Sequence, residues 1–268
     1  MEMKKSQKRS PYNRPRLEDF IEETIPPIRH VDTEIFFRRV TEETLGFIQS
    51  QHGPLVLDIA SGMGIDSNIL SSRGFKVIAL EPMAAMIDYS RKHHRKNGHY
   101  AMHLEGYAEE IPLRDESVDQ VLCKGSIDHF IDPRTALAEM RRVLKPQGRF
   151  VMAAANYDSL TCHYSRLVDI IKKIKYGPPP PDAPRPHYEM PSDHVTRFNA
   201  RLLRNMVGEF FEIQRETGIG ILWGAPYFNA IWDRLSRPKA EKWLNLLYDT
   251  ARHLPSLADM TVLDCVKA

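Results

Sequence analysis

One short stretch constrains the fold of this chain more than any other. A pattern typical of a buried strand runs directly into a turn with two glycines and then into a helix pattern, with the letters VLDIASGMG at 56–64 and IDSNIL at 65–70. Glycine lets another molecule approach the main chain closely, and the N-terminus of a helix attracts anionic groups. The stretch therefore predicts a cradle for a nucleotide-like ligand, although a strand, a glycine turn and a helix also occur together for purely structural reasons.

Strand and helix patterns alternate after this stretch. Five strands are predicted before residue 156, at 55–59, 76–80, 100–104, 118–123 and 149–155. Two more are predicted at 210–218 and 261–266. Alternation of this kind is typical of an α/β fold, in which crossover helices connect the strands of a parallel sheet.

The pattern also divides the chain into parts. Residues 1–16 are predicted to be a disordered basic tail, and 17–54 to form N-terminal helices. The main domain is predicted at 55–268, with insertions at 156–194 and 219–258. We expect the insertions to form a lid over an acceptor region; a passive surface excursion is the alternative for the first, which is rich in proline.

Composition excludes several classes of protein. The chain has 37 basic and 35 acidic side chains, a net charge of +2, so no nucleic-acid partner is expected. Three widely spaced cysteines, Cys123, Cys162 and Cys265, argue against a disulfide framework and a zinc cluster, and no metal site is predicted. No apolar run approaches the roughly 20 residues of a membrane span, and no signal-peptide core is present. We expect a cytoplasmic protein. The sequence makes no prediction of its oligomeric state.

Further motifs follow the glycine turn in a fixed order. Glu81 ends the second predicted strand 23 residues after Asp58, where an acidic side chain can accept hydrogen bonds from both ribose hydroxyls of a nucleotide. After it come GYAEEIP at 106–112, VDQVLCK at 118–124 with DHF at 128–130, and RVLKPQG at 142–148.

Together these motifs resemble the class I S-adenosylmethionine-dependent methyltransferases, and more narrowly their small-molecule branch with the ubiquinone-biosynthesis type enzymes. The resemblance is strong over 55–155 and loose beyond. It implies a Rossmann-like, doubly wound, mostly parallel seven-stranded sheet with an antiparallel last strand and helical insertions. It also implies S-adenosyl-L-methionine as the cofactor, bound by Asp58, Ala60, Gly62, Gly64, Glu81, Pro82, Met83, Tyr107, Ala108, Glu109, Cys123 and Lys124.

Two positions depart from the family pattern. Ala60 replaces the first glycine, which a small side chain should tolerate. Tyr107 stands where an aspartate often contacts the adenine amino group, so it is predicted either to stack on the adenine or to point to solvent. Met83 is predicted to pack on the adenine or, alternatively, in the core of a helix.

The resemblance implies direct displacement of the methyl group toward a small, apolar or aromatic acceptor. The apolar character is suggested by three tryptophans and other aromatic side chains in the second insertion, which alternatively form its core or a dimer contact. An oxygen acceptor benefits from a general base, and an imidazole titrates at about pH 6.5. His129 is the first candidate and His194 the second, with a structural role as the alternative for each. Cys123 is disfavoured as a nucleophile.

Three other functions stay open at this point. The glycine turn nearly satisfies the fingerprint of NAD-dependent oxidoreductases. The domain could also be a non-catalytic module that binds S-adenosylmethionine. Peripheral membrane contact is possible through a predicted amphipathic helix at 159–175, whose lysines flank an apolar face.

Overall fold

The computed structural model describes residues 30–180, 183, 185, 186 and 188–268. The predicted tail, 1–16, and the part of the predicted N-terminal helices at 17–29 lie outside the described residues. Within them the chain forms a seven-stranded sheet. Its strands are β1 (Leu55–Ile59), β2 (Lys76–Glu81), β3 (Ala101–Glu105), β4 (Val118–Lys124), β5 (Leu144–Ala155), β6 (Glu212–Ile219) and β7 (Met260–Val266).

Helices cover both faces of the sheet. They are α1 (Val31–Gly46), α2 (Ile65–Ser72), α3 (Ala84–Lys96), α4 (Pro133–Val143), α5 (Leu160–Tyr176), α6 (Ala200–Gly208), α7 (Phe228–Arg234) and α8 (Arg237–Arg252). Local sequence explains several helix starts: for α4, the Asp132 side chain accepts hydrogen bonds from two first-turn N–H groups and Pro133 fixes the first helical residue.

The strand order, β3-β2-β1-β4-β5-β7-β6, confirms the predicted fold class. β1 to β5 are parallel, and β7 runs antiparallel between β5 and β6. The chain reverses its direction of winding between β1 and β4, which are neighbours in the sheet but not in the sequence. Ligands of open α/β sheets bind at such a switch point, outside the carboxyl ends of the strands.

Core side chains lie on both sides of the sheet. Leu57 packs in one layer with Leu137 and Phe150, whereas its neighbour Val56 packs in the other with Leu122. Successive strand residues point to opposite faces, so a strand buried on both sides is apolar throughout. This explains why β1 has no alternating pattern in the sequence.

Helix α1 and the second insertion form a shared apolar layer. Phe36 of α1 stacks on Trp223, with ring centroids 4.0 Å apart and planes 2° apart. Trp223 is half-buried and Trp232 is buried, while Trp243 is 55% exposed. Two of the three tryptophans therefore serve the core of the insertion, which was the alternative to an acceptor pocket.

Several boundaries differ from the prediction. The fifth strand, predicted at 149–155, begins at Leu144, because its pairing with β4 continues back to that residue through a register irregularity. In the region predicted as N-terminal helices, 17–54, helix α1 ends at Gly46, and a separate short turn covers Ser50–His52. Across the described ranges, none of the helices has the combination of length and apolarity that crossing a membrane requires.

Candidate functional site

The glycine turn lies at the carboxyl end of β1, at the switch point. Ala60, Gly62 and Gly64 have φ values of 51°, 52° and 72°, which lie in the left-handed region. This region is open to glycine but costs an L-residue about 1–2 kcal/mol. Ala60 therefore holds a strained conformation where the family has glycine, and its small side chain keeps the cost low.

The two glycines of the turn have different surroundings. Nothing lies within 4 Å of the position that a Cβ would take on Gly62, so the main chain there faces open space. A Cβ on Gly64 would instead collide with the Ser90 side chain of α3. Gly62 is thus the residue that leaves room for a ligand, whereas Gly64 allows two parts of the protein to pack closely.

Two buried carboxylates flank the turn. Asp58 is 3% exposed and accepts a hydrogen bond from the Ser67 hydroxyl at 2.5 Å. Burial, together with the nearby charge of Asp66, raises the pKa of Asp58 to about 7. Glu81 accepts hydrogen bonds from the N–H groups of Gly62 at 2.9 Å and Met83 at 3.1 Å, and burial raises its pKa as well. Each carboxylate oxygen has a second lone pair, so Glu81 can also accept ribose hydroxyls.

Lys124 brings a positive charge to the same edge of the sheet. Its Nζ lies 2.7 Å from the Asp66 carboxylate and 3.2 Å from the Thr41 hydroxyl of α1. Its neighbour on β4, Cys123, is fully buried, and burial raises the pKa of the thiol to about 12. A thiol in this state is a poor nucleophile, as the sequence predicted.

The residues predicted to border adenine lie on the loops after β2 and β3. Pro82 and Met83 are half-buried, and Met83 precedes α3 instead of packing in its core. Tyr107 is 42% exposed, whereas Ala108 is buried. Glu109 accepts hydrogen bonds from the N–H groups of Ile131 and Asp132 and so connects this loop to the loop after β4.

The turn suits a cationic nucleoside such as S-adenosylmethionine. The Ser61 hydroxyl oxygen is buried and has no hydrogen-bond partner among the described residues, and unpartnered buried polar atoms are uncommon. The raised pKa of Asp58 means that its negative charge is poorly compensated, which a sulfonium or ammonium group would correct. Gly62 faces open space and donates its N–H to Glu81, so a ligand in that space would lie close to the Glu81 carboxylate.

Both predicted histidines belong to one cluster, which follows β4 at the same edge. His194 Nδ1 lies 2.9 Å from the Asp128 carboxylate and 3.1 Å from the Tyr157 hydroxyl. His129 Nδ1 lies 3.4 Å from Asp193, and the two imidazole rings meet edge to face with centroids 4.2 Å apart. The cluster thus pairs each histidine with the aspartate that precedes the other in sequence.

Charge in this cluster is concentrated on Asp128. Its side chain is 4% exposed, and burial by itself would raise its pKa. The hydrogen bond from His194 and the charges of both histidines outweigh burial and hold the pKa of Asp128 below its usual range. Asp128 is therefore ionised at neutral pH and orients the His194 ring.

Sequence reasoning named the two histidines but not their partners. Asp128, Asp193 and Tyr157 were given no role, although the dipeptide Asp-His occurs at both 128–129 and 193–194. That repetition was the available signal. No metal site was predicted, yet Asp128, His129 and His194 offer ligand atoms within 4.8 Å of one another, an arrangement that could hold a metal ion.

Comparison with known proteins relates this edge of the sheet to methyltransferases. Residues 57–152 match the family model described as a methyltransferase domain. This part of the chain is therefore similar to a methyltransferase domain. The similarity agrees with the prediction of S-adenosylmethionine as the cofactor.

Individual relatives match less than half of this chain. An uncharacterized methyltransferase of Mycobacterium tuberculosis is 42% identical over 94 residues, which are 35% of this chain and 37% of the relative. A demethylmenaquinone methyltransferase of Renibacterium salmoninarum is 32% identical over 117 residues, 44% of this chain and 46% of the relative. The chain thus spans less than half of the length of these relatives.

A solved structure shares the fold over a greater length. The crystal structure of a SAM-dependent methyltransferase from Thermotoga maritima covers 94% of this chain and 97% of its own, with a TM-score of 0.59 and 19% identity. At this identity the likeness extends the shared fold from the methyltransferase domain to the remaining strands.

Proposed function

We propose that the protein transfers a methyl group from S-adenosylmethionine to a small, apolar or aromatic acceptor by direct displacement. The observation that carries this proposal is the position of the cluster formed by the two histidines with Asp128 and Asp193. β4 pairs with β1, with Cys123 opposite Ile59. The turn that follows β4 therefore sets the cluster beside the glycine turn that follows β1.

The cofactor-binding residues act by position and charge. Bound S-adenosylmethionine supplies an electrophilic methyl group on a sulfonium sulfur. Asp58 balances the positive charge of the cofactor, and Glu81 accepts the ribose hydroxyls. The remaining predicted residues border the adenine and methionyl groups. Because displacement at a methyl group needs little covalent help, most of the rate enhancement comes from holding donor and acceptor in line.

His194 has the geometry of a general base. Its Nδ1–H donates to the buried Asp128 carboxylate, which leaves Nε2 able to accept a proton. When an acceptor hydroxyl attacks the methyl group, its proton passes to this nitrogen. His129 contacts the same ring and is the second candidate for the base, assisted by Asp193.

An apolar acceptor fits the residues of the two insertions. The segment 156–194 contributes Tyr157 and His194, and its Tyr164 meets Phe228 of the segment 219–258 edge to face, with ring centroids 5.8 Å apart. Similarity to a demethylmenaquinone methyltransferase supports a small acceptor of this kind. The two insertions would then act as the lid of the acceptor region, and peripheral contact with a membrane would give access to an apolar acceptor.

The test is binding followed by turnover. Isothermal titration should give saturable heat with S-adenosylmethionine and none with NAD. Cofactor turnover is then measured with a panel of phenols, quinols and carboxylic acids. Absence of heat with S-adenosylmethionine would refute the proposal, while binding without turnover across the panel would favour the non-catalytic module.

Metal dependence is a second outcome that the cluster makes testable. If the histidines act as bases, removal of metal ions with a chelator leaves the rate unchanged. Loss of activity on chelation, restored by added Zn²⁺ or Mn²⁺, would show instead that Asp128, His129 and His194 hold a metal ion.

A further inference from the structure

Helix α5 has its polar and apolar faces reversed with respect to the protein core. Its buried residues are Thr161, Cys162 and Ser165, of which two carry hydroxyl groups and none is large. A helix that packs on a domain normally buries its large apolar residues and leaves polar ones in solvent. The apolar side of α5 therefore needs an explanation outside the described part of the chain.

Four branched side chains form a continuous stripe on the outward face. Leu167, Ile170, Ile171 and Ile174 follow the spacing i, i+3, i+4 and i+7, which places them on one side of a helix. They are 56%, 55%, 54% and 82% exposed.

Lysines flank this stripe. Lys173 and Lys175 lie on its two sides in the last two turns of α5. Lys172 lies on the opposite side of the helix, where its Nζ is 5.4 Å from the centre of the Tyr227 ring and 3.9 Å from the Asp169 carboxylate; all three lysines are exposed. The helix contains a single acidic residue, Asp169. The outward surface is thus an apolar strip with a positive border.

We propose that α5 docks on an anionic lipid surface, with the stripe in the interfacial region and the lysines at the headgroups. An apolar helix face bordered by lysines is the pattern of interfacial membrane helices. The charge argues against a second copy of this chain as the occupant. A second copy would add only Asp169 of its own α5 as a counter-charge, whereas the phosphate headgroups of an anionic bilayer neutralise the lysines.

The position of α5 connects this surface to the acceptor region. This connection rests on the proposed function. The helix begins three residues after Tyr157, whose hydroxyl contacts His194. Docking would hold the histidine cluster close to the bilayer, where an apolar acceptor accumulates.

Vesicle co-sedimentation tests the docking independently of methyl transfer. The full chain should bind vesicles of phosphatidylcholine mixed with phosphatidylglycerol, bind pure phosphatidylcholine at least tenfold more weakly, and dissociate at high salt. Replacing Lys172, Lys173 and Lys175 together by glutamine should weaken binding by about fivefold per lysine. Failure to bind the anionic vesicles overturns the proposal.

Matched variants locate the binding surface. Ile171→Asp and Ile174→Asp should abolish sedimentation with vesicles, whereas Leu246→Asp on α8, a residue with 55% exposure, should not. Circular dichroism checks that every variant is folded. Equal loss in the Leu246 variant, or a dimer of the wild type that the stripe variants dissociate, would overturn the membrane assignment. Vesicle binding without any methyl transfer would refute the proposed function and leave docking standing.

Discussion

Asp58 makes cofactor affinity depend on pH around neutrality. Its pKa is raised to about 7 in the absence of a partner, so below this pH it is protonated and cannot balance a cation. We expect the affinity for S-adenosylmethionine to rise with pH up to pH 7 and above, by at most about tenfold per pH unit below the pKa. Calorimetric titration over about three pH units centred on pH 7 measures this.

Asp58→Asn is the control for that profile. The amide cannot titrate, so the variant should bind weakly with a flatter pH dependence, and any remaining slope belongs to the cofactor's own amino group. Stability should respond in the opposite direction. A folded-state pKa above the unfolded value of about 3.9 means that the wild type loses stability as pH rises from about 4 to about 7. Parallel pH profiles for both proteins would contradict the assignment.

The His194 side chain is expected to affect chemistry and not cofactor binding. His194→Gln keeps a polar group near Asp128 but cannot take up a proton, so methyl transfer to a hydroxyl acceptor should fall by about 10²–10⁴-fold. The affinity for S-adenosylmethionine should stay within twofold, about the error of a titration. His163→Gln, on the exposed side of α5, is the matched control.

A stronger loss in His129→Gln than in His194→Gln would exchange their roles. His129 would then be the base and His194 its neighbour. If both variants lowered the rate of methyl transfer only slightly and equally, the two histidines would have a structural role, which is the alternative for each.

At the scale of elements, the glycine turn separates ligand binding from packing. Gly62→Ala adds a methyl group to open space at a left-handed φ, so it should cost about 1–2 kcal/mol of stability and weaken cofactor binding. Gly64→Ala has the same backbone strain and also collides with Ser90, so it should cost more stability. Urea unfolding and calorimetry on both variants measure the difference. A larger stability loss in the Gly62 variant would contradict this division.

The strands and the glycine turn near the cofactor were predictable because a short run of neighbouring residues is enough to indicate each of them. β1, its glycine turn and Glu81 are defined by a few neighbouring residues, and the five parallel strands follow from patterns of apolar residues. The start of β5 was not predictable, since Lys145-Pro146-Gln147-Gly148 has the composition of a turn and only pairing with β4 extends the strand.

The acceptor side of the site depends on contacts that a pattern search does not detect. Asp128 and His194 are 66 residues apart in sequence but share a hydrogen bond. The reversed faces of α5 were also hidden, because its periodicity predicts an amphipathic helix without saying which face is inward. Trp223 illustrates the same limit. The aromatic residues of the second insertion suggested an acceptor pocket, whereas the Trp223 ring stacks on Phe36 of α1.

At the scale of the whole molecule, a buried ion pair joins the parallel and antiparallel parts of the sheet. Arg149 of β5 lies 2.6 Å from Asp264 of β7, and the Asp264 side chain is fully buried. Arg149→Met would leave that carboxylate buried without its partner, at an expected cost of about 3–5 kcal/mol. Urea unfolding measures the loss.

An exposed pair provides the comparison. Arg237→Met removes an arginine that binds Glu34 and Glu241 at the surface, where water replaces the lost contacts. Its effect on unfolding should be far smaller than that of Arg149→Met. If Arg149→Met lowered the free energy of unfolding as little as an exposed pair does, the buried pair would add little to the stability of the sheet.

The three buried cysteines have a practical consequence for measuring how the molecule meets a bilayer. Cys123, Cys162 and Cys265 are all buried, and burial raises the pKa of each thiol, so alkylating reagents should react with none of them while the protein is folded. A single new cysteine on the outward face of α5 can then carry a fluorescent or spin label in the otherwise native sequence. The depth of that label below the headgroups would be read directly by a quencher dissolved in the lipid.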